Sequence, residues 1–591
     1  MSFRRVGWVA AVALATLLEL SCGQVYRPVV IPVNITPPNS ANFHAVFGIS
    51  ANVAFNPGAA LQIDVSGDSN IGVANMGINP THAAILPNNS RVFVASGGGN
   101  LCPGGTDVVM SFFPAGGGST ATGLGSPATF TLPNTGTAQS SGIGTISETG
   151  SLVTLTLSAP LSSATVGARI LISGVTPSGY DGCFPISSVS GTTIQYVNTN
   201  LNLALANGGV ATVPTFCPYL PDYVATSQNS AAYVANYGAE GDPNCNLAST
   251  DSVASLNISS NTVAHIAYLP ASSHPVAMVE TPNGFNLYVL NQGNNTVTDL
   301  SPTDLSTITT IPVGNTPAWG VSRLDGQRVY VVTQGDSQLY TINTATNAVL
   351  SNQSVGVAGA NFVLYDKSRN RLYVTNPNAA AVYVFDATTD PPTPLGNASG
   401  IGILPAPLPA GVPPCTTCST VMPVSVAALP DGSRFYVASY VTAALGSACP
   451  DPNVTATGCV IPQVTVFDAG SFAVKTTVFP LLPPVANPVL QVQPFALAPA
   501  TFCAPVTPYT PSSARFRMSA AAAAGSSRVY ASMCDGGSVA IINTTTSTLT
   551  SGGNNTPDIL VTDLPAPFSA ATAPPNGEPP PQNPVFLLTG Q

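Results

Sequence analysis

The chain has 591 residues, of which only 7% are charged, against roughly a quarter in an average soluble protein. Gly and Pro occupy 53 and 56 positions, yet 45% of residues are apolar, which excludes disorder driven by low hydrophobicity and high charge. With a net charge of −10 and two lysines among 15 basic residues, the chain cannot build the basic surface that nucleic-acid binders need. No nucleic-acid partner is therefore expected.

The first 22 residues predict an export signal. Two arginines precede the apolar run Val6–Leu18, which has signal-peptide length and is too short to span a bilayer. The run leads into Leu-Glu-Leu-Ser-Cys-Gly at residues 18–23, which resembles the lipoprotein box of bacteria. The resemblance implies lipidation of Cys22, a membrane anchor and a place in the cell envelope, at the outer membrane or facing the periplasm. Ordinary cleavage nearby, with Cys22 unmodified, is the alternative, because Glu19 stands where an aliphatic residue is usual.

Ten further cysteines agree with export. An even number of cysteines in an exported chain predicts disulfides. Cys415 and Cys418 also have the spacing of a zinc knuckle or a redox motif, but a structural zinc site needs four ligands, and the sequence offers no second close pair. A disulfide is the favoured interpretation, with metal or redox chemistry as the alternative, and no cofactor is predicted. The candidates are Cys102, Cys217, Cys245, Cys415, Cys418, Cys449, Cys459, Cys503 and Cys534, with Cys183 as the tenth.

A short β-rich motif with a central aromatic residue recurs along the chain. It is centred on Phe93, Tyr233, Tyr288, Tyr330, Tyr373, Tyr436 and Tyr530, with a weaker eighth copy at Phe586. The shortest spacings, 42 and 43 residues, match the length of one β-propeller blade of four antiparallel strands.

The unit around Tyr330 shows all four strands. Alternating apolar and polar residues predict strands at Ala318–Arg323, Arg328–Thr333, Gln338–Asn343 and Ala348–Ser354. A proline stands thirteen residues before the aromatic in four copies, at Pro80, Pro275, Pro317 and Pro423. Because proline has no N–H for a ladder, it marks the first residue of each inner strand.

The motif at Tyr373, Leu-Tyr-Val-Thr-Asn at residues 372–376, resembles the signature of YVTN-type β-propeller repeats. The similarity is clear over roughly residues 275–390 and looser elsewhere. It implies a propeller fold and an exported location. It implies no catalytic residue, because one fold serves many functions.

We predict an all-β propeller of eight blades, with seven as the alternative. The closing blade would take an inner strand at Phe568–Ala573 and a second strand at Phe586 from the C-terminus, and Ala60–Ser66 and Asn70–Met76 from the N-terminus. The predicted organisation is a signal peptide at 1–22, a linker at 23–58, the start of the propeller at 59–137 and the remainder at 214–591.

Residues 138–213 interrupt the repeat and predict an inserted module. Strands are expected at Leu152–Leu157, Arg169–Ser173, Phe184–Val189 and Thr193–Val197. The stretch Thr145–Val213 resembles small β-sandwich-like modules of bacterial surface proteins. An accessory domain and a passive spacer are both consistent with it.

One face of the ring is predicted to carry the long loops, because nine of the ten cysteines map to loops that open on it. Binding residues often lie on such loops over a rigid scaffold. Two residues after the leading proline, or its equivalent, stand His82, Tyr223, Trp319 and Phe362. These rings form a candidate binding rim at the mouth of the central channel, where they would stack on a sugar or another flat ligand; the alternative is that they plug the channel.

Catalysis has little support in the sequence. No Gly-x-Ser-x-Gly elbow precedes a helix, and the inner strands lack the acidic ligands of a lactonase-like propeller. The favoured function is therefore non-enzymatic: a lipid-anchored binding or scaffold module at the envelope, with a protein or glycan ligand. The alternative is an envelope hydrolase or lyase, lactonase-like, on the same scaffold. A structural role towards the cell wall is a third possibility.

Overall fold

The computed structural model describes residues 45–51, 57–78, 80–97, 108–114, 127–132, 138–198, 200–214, 219–227, 231–238, 250–405, 418–444, 458–479, 495–496, 503, 517–545, 558–565 and 583–590. These form forty strands and a 3-10 turn at Ser178–Tyr180. Among them, no helix has the length and apolar character needed to cross a membrane. Several predicted features lie outside the described residues: the export signal, Cys22, Phe568–Ala573, Cys102, Cys217, Cys245, Cys415 and Cys449.

The strands form eight blades and one inserted module. Blade 1 contains β1 (Ala45–Ala51), β2 (Pro57–Asp64), β3 (Ser69–Ile78) and β40 (Asn583–Thr589), and blade 2 contains β4 (Pro80–Ile85), β5 (Val92–Ser96), β6 (Val108–Phe112) and β7 (Ala128–Thr131). The module contains β8 (Ala138–Thr149), β9 (Leu152–Leu157), β10 (Arg169–Ser173), β11 (Gly182–Ser190), β12 (Thr193–Val197) and β13 (Val210–Pro214). Blade 3 contains β14 (Pro221–Thr226), β15 (Ala232–Asn236), β16 (Ser252–Asn257) and β17 (Thr262–Tyr268).

Blade 4 contains β18 (Pro275–Glu280), β19 (Leu287–Asn291), β20 (Thr296–Leu300) and β21 (Thr307–Pro312), and blade 5 contains β22 (Pro317–Ser322), β23 (Arg328–Thr333), β24 (Gln338–Asn343) and β25 (Ala348–Ser354). Blade 6 contains β26 (Phe362–Asp366), β27 (Arg371–Asn376), β28 (Ala381–Asp386), β29 (Thr393–Leu395) and β30 (Ile401–Gly402). Blade 7 contains β31 (Met422–Ala428), β32 (Arg434–Ala444), β33 (Gly458–Asp468), β34 (Val474–Val478) and β35 (Phe495–Ala496), and blade 8 contains β36 (Met518–Ala522), β37 (Arg528–Met533), β38 (Ser538–Asn543) and β39 (Ile559–Pro565).

The predicted propeller of eight blades is confirmed. In blades 2 to 8 the first strand lies innermost, next to the inner strands of the neighbouring blades, and the others follow outward in chain order. The second-strand aromatics are buried between blades, as Tyr330 and Tyr436 show at 0% exposure. Leading prolines begin β4, β14, β18 and β22, where a missing N–H costs no ladder hydrogen bond.

An arginine two residues before the aromatic joins neighbouring blades. The Arg328 guanidinium donates to Asp390 over 2.6 Å, and Arg434 donates to Asp558 over 2.6 Å. Each acceptor lies beside the outer hairpin of the following blade. The same contact recurs in three more blades: Arg91 donates to Asn261, Arg371 to the Ala469 carbonyl oxygen and Arg528 to Asp68. We call these five contacts the arginine clasps.

Both termini close the ring, but not with the predicted strands. β40 is the innermost strand of blade 1 and not the second strand that the sequence predicts, and it pairs with β1 rather than with the strands near Ile63 and Val73. The termini therefore contribute one and three strands instead of two and two. β1 lies inside the predicted linker 23–58, and its Phe47 occupies the position of the central aromatic residue. Gly48 follows it where the second strands of the other blades have Val or Ala, so the motif is not recognisable in the sequence.

The inserted module is a closed barrel rather than a sandwich. Its strands follow the order β10-β11-β12-β9-β8-β13, and β13 pairs with both β8 and β10. β8 also pairs with β9, and β11 pairs with both β10 and β12, so the closed barrel has none of the open edges of a sandwich. Its apolar core, which includes Ile146, Leu155 and Tyr196, is separate from the core of the blades.

Candidate functional site

The candidate rim residues occupy one structural position that repeats in all eight blades. It is the inner-strand residue that faces the fourth residue of the second-strand motif, as Trp319 faces Val332 and Phe586 faces Ile49. Rings hold five of these positions and small residues the other three; in blade order they are Phe586, His82, Tyr223, Ala277, Trp319, Phe362, Ser425 and Ser519.

The five rings meet at the axis of the propeller. His82 stacks on Tyr223 with ring centroids 3.8 Å apart and contacts Phe586 at 4.3 Å. Trp319 approaches His82 at 5.7 Å and Tyr223 at 5.5 Å, and Phe362 packs on Trp319 at 5.3 Å. Because blades 2 and 5 are three steps apart around the ring, these contacts cross the channel. We call this set the aromatic plug.

Burial favours packing as the main role of the plug. His82, Tyr223 and Trp319 are 4%, 8% and 6% exposed, so their faces stack on one another and not on an open channel. Phe362 and Phe586 are half-buried. The sequence supplied four of the five rings. It missed Phe586, although Pro584 two residues earlier gives the same signal as Pro317 before Trp319.

Burial also fixes the charge state of the plug. It lowers the pKa of His82 from 6.5 to about 3, because an imidazolium ion would lose its hydration there. The Val224 N–H donates to His82 Nδ1 over 3.4 Å, so this nitrogen acts as an acceptor. Burial raises the pKa of Tyr223. The plug is therefore uncharged at neutral pH.

A second cluster, which the sequence did not predict, lies between blades 3 and 4 at the same end of the channel. His274 precedes the leading proline Pro275, and its Nδ1 is 3.0 Å from the Tyr237 carbonyl oxygen and 3.5 Å from Asp251 Oδ1. The His274 ring stacks on Tyr237 at 4.5 Å, and the buried Asp251 carboxylate accepts the Ser273 N–H over 3.0 Å. The His274 side chain is 23% exposed, so an oriented imidazole is accessible here.

The topology assigns loops to the two faces of the ring. Loops from second to third strands, and from each blade to the next, open on the face that bears His274, which we call the loop face. On this face the chain leaves β15 and returns at β16, leaves β32 and returns at β33, and departs into the module after β7. On the opposite face, the tight-turn face, the described strands are joined by short turns, except between β6 and β7 and between β38 and β39.

Disulfides are confirmed on the loop face. Cys503, before β36, is bonded to Cys534, in the turn after β37. Cys418 is also disulfide-bonded, which removes it from a zinc site, and so is Cys183 in the barrel. Cys459 stands in β33. The described ranges contain no group of three His, Cys, Asp or Glu side chains able to hold a metal.

Fold and site together define an eight-bladed β-propeller with an inserted six-stranded barrel. No protein-family model and no curated protein sequence matches the chain. Solved structures similar to it include hydrazine synthase of Kuenenia stuttgartiensis, at 16% identity and a TM-score of 0.38, with 55% of this chain and 76% of that one covered.

Two further similar structures are the WD40 repeats of RRP9 and the periplasmic gluconolactonase of Pseudomonas aeruginosa. The first is 12% identical over 58% of this chain and 80% of that chain, with a TM-score of 0.35. The second is 14% identical over 60% of this chain and 95% of that chain, with a TM-score of 0.30. These likenesses assign no activity to the chain.

Proposed function

We propose that the protein is an exported, lipid-anchored propeller that binds a protein or glycan ligand on its loop face. The observation that carries the proposal is the difference between the two faces. The tight-turn face is tied together by repeated arginine clasps, whereas the loop face bears the long connections, the barrel and the disulfides. A rigid scaffold with varied loops on one side is the usual arrangement of a binding module.

The site on this face consists of the buried aromatic plug and the accessible His274 ring beside it. The aromatic plug closes the channel, so a ligand would rest on the loop face rather than enter the ring. The stacked Tyr237 and His274 rings supply an oriented aromatic and polar surface beside the plug, and such rings are frequent in binding hot spots.

A glycan-array screen of the chain from Gly23 onward tests the ligand class. The expected result is a saturable signal that His274→Ala weakens at least tenfold, while Phe285→Ala has no effect. Phe285 is 73% exposed in a turn of the tight-turn face, so it is the matched control. Loss of the signal with Phe285→Ala and its retention with His274→Ala would place the binding site on the tight-turn face and contradict the proposal.

Anchoring through Cys22 is the second part of the proposal. Residues 23–44 separate Cys22 from β1 in the sequence. Cells expressing wild type and Cys22→Ala are labelled with a fatty-acid analogue and fractionated. Label and membrane partition should be lost in the variant; equal partition of both proteins would contradict the anchor.

The alternative is an envelope hydrolase or lyase on the same scaffold, and the His274–Asp251 pair favours it. A carboxylate behind an imidazole is the usual way to orient a general base. Turnover of chromogenic esters or lactones that disappears in both His274→Ala and Asp251→Asn would support this alternative. Equal residual rates in wild type and both variants would reject it.

A further inference from the structure

The last strand of the chain depends on one partner strand. β40 is an inner strand, so one of its edges faces the channel and its ladder hydrogen bonds go to β1 alone. The other seven inner strands belong to hairpins that are continuous in sequence. Blade 1 is therefore the place where the ring opens most easily. A contact that holds the first residues of β40 would control whether the ring closes.

The Cys503–Cys534 disulfide lies at that place. Asn583, the first residue of β40, donates from Nδ2 to the Cys534 carbonyl oxygen over 2.9 Å, and the same nitrogen is 3.7 Å from Cys503 Sγ. The Cys534 N–H in turn donates to the Arg517 carbonyl oxygen over 2.9 Å. The turn that carries Cys534 thus bridges the beginnings of two neighbouring inner strands, β36 and β40.

The sulfur atoms also belong to the core of the closing blade. Cys503 and Cys534 are 1% and 0% exposed and pack in one apolar cluster with Phe47 and Ile49 of β1 and Val585 of β40. The bond joins positions 31 residues apart, and this segment contains β36 and β37. The disulfide therefore links blade 8 to the apolar cluster against which β40 packs.

We propose that the Cys503–Cys534 disulfide is a redox-dependent latch, and that ring closure by β40 follows its formation. Because both sulfurs are buried beneath the closed blade, oxidation has to precede the docking of β40. The chain would therefore complete its ring, and with it the loop face, only after it reaches an oxidising compartment.

The redox step is thiol–disulfide exchange with a disulfide-bearing oxidant. The thiolate of one cysteine attacks the oxidant and forms a mixed disulfide, and the second thiolate then displaces the remaining sulfur of the oxidant. The two cysteines lose two electrons and two protons in total, and the oxidant is reduced to two thiols.

Hydrogen exchange with mass spectrometry of the chain from Gly23 onward tests the latch. In Cys503→Ala/Cys534→Ala, amides of β40 and β1 should exchange at least tenfold faster than in wild type, while those of β23 and β24 keep their wild-type rates. Cys183→Ser, which breaks the disulfide that Cys183 of the barrel forms, is the matched control and should leave β40 unchanged. Equal acceleration in all blades, or none in β40, would overturn the proposal.

A second variant covers the case in which the double cysteine variant does not fold. Asn583→Asp keeps the disulfide and the side-chain size but removes the donor to Cys534. Exchange in β40 should rise, with β23 unchanged. An unchanged rate in β40 of Asn583→Asp would show that the disulfide turn does not hold the strand, and would reject the latch.

Discussion

The two faces of this propeller are held together by different means. On the tight-turn face, five arginines repeat one contact from blade to blade, and the tyrosine hydroxyls add to it, as Tyr233 does by donating to the Pro302 carbonyl oxygen over 3.1 Å. On the loop face, connections differ from blade to blade, and the described stabilising features include disulfides, the aromatic plug, the Arg517–Asp535 ion pair and the Asn376 amide, which donates to the Val355 and Val357 carbonyl oxygens. The comparison indicates that one kind of contact repeats around the tight-turn face, whereas the contacts of the loop face differ from blade to blade.

Closure of the propeller by β40 should have the largest effect on stability, because both faces depend on it. Deletion of residues 583–591 removes β40 and exposes the ladder edge of β1, so we expect loss of the cooperative unfolding transition and aggregation, because open edges pair with other chains. Differential scanning calorimetry and light scattering measure both effects. A truncated chain that melts like the full one would show that β40 does not close the ring.

Trp319→Ala distinguishes a plug from a binding rim. The side chain is 6% exposed and touches three other rings, so truncation should lower the free energy of unfolding by about 3–5 kcal/mol. Urea denaturation checks this, with Phe285→Ala expected within about 0.5 kcal/mol of wild type. A small effect of Trp319→Ala would favour the rim interpretation instead.

The clasps of the tight-turn face should differ with burial. Asp558 is 1% exposed and also accepts the Tyr436 hydroxyl, so Arg434→Ala leaves a buried carboxylate and should cost about 3 kcal/mol. Asp68, the partner of Arg528, is 14% exposed, and Arg528→Ala should cost about 1–2 kcal/mol. Equal costs, measured by chemical denaturation, would mean that burial does not set the strength of a clasp.

The neutral imidazole in the plug predicts a pH dependence. The pKa of His82 falls from 6.5 to about 3 on folding, so the unfolded chain binds more protons between these values and stability falls as the pH drops below 6.5. At pH 5 the loss should be about 2 kcal/mol relative to neutral pH. His82→Phe, which keeps a ring in the plug, should remove this part of the slope; an unchanged slope would assign it to other groups.

The sequence predicted blade 5 almost residue by residue and blade 1 poorly. In blade 5 the second, third and fourth strands begin and end as predicted, because the repeat there is contiguous and its alternation is uninterrupted. In blade 1 the pairing of β40 with β1 joins residues more than five hundred positions apart, and no local pattern encodes such a contact. The motif of β1 was also masked by Gly48.

The positions of the candidate site residues were predictable from the sequence, but whether their side chains are exposed or packed together was not. The leading prolines located His82, Tyr223 and Trp319 on equivalent strands, and Ala360 at the equivalent place located Phe362. Whether these rings face a ligand or one another depends on the diameter of the closed ring, which no single blade determines. His274 and Asp251 come together only because blades 3 and 4 meet, although the histidine before Pro275 was visible in the sequence.

The most direct test of the central claim, that ligand binding belongs to the loop face, uses one pair of variants on the same glycan array. The account predicts that His274→Ala loses the signal of wild type and that Phe285→Ala keeps it, with thermal unfolding of both variants close to wild type. A signal that survives His274→Ala and disappears with Phe285→Ala would contradict the account.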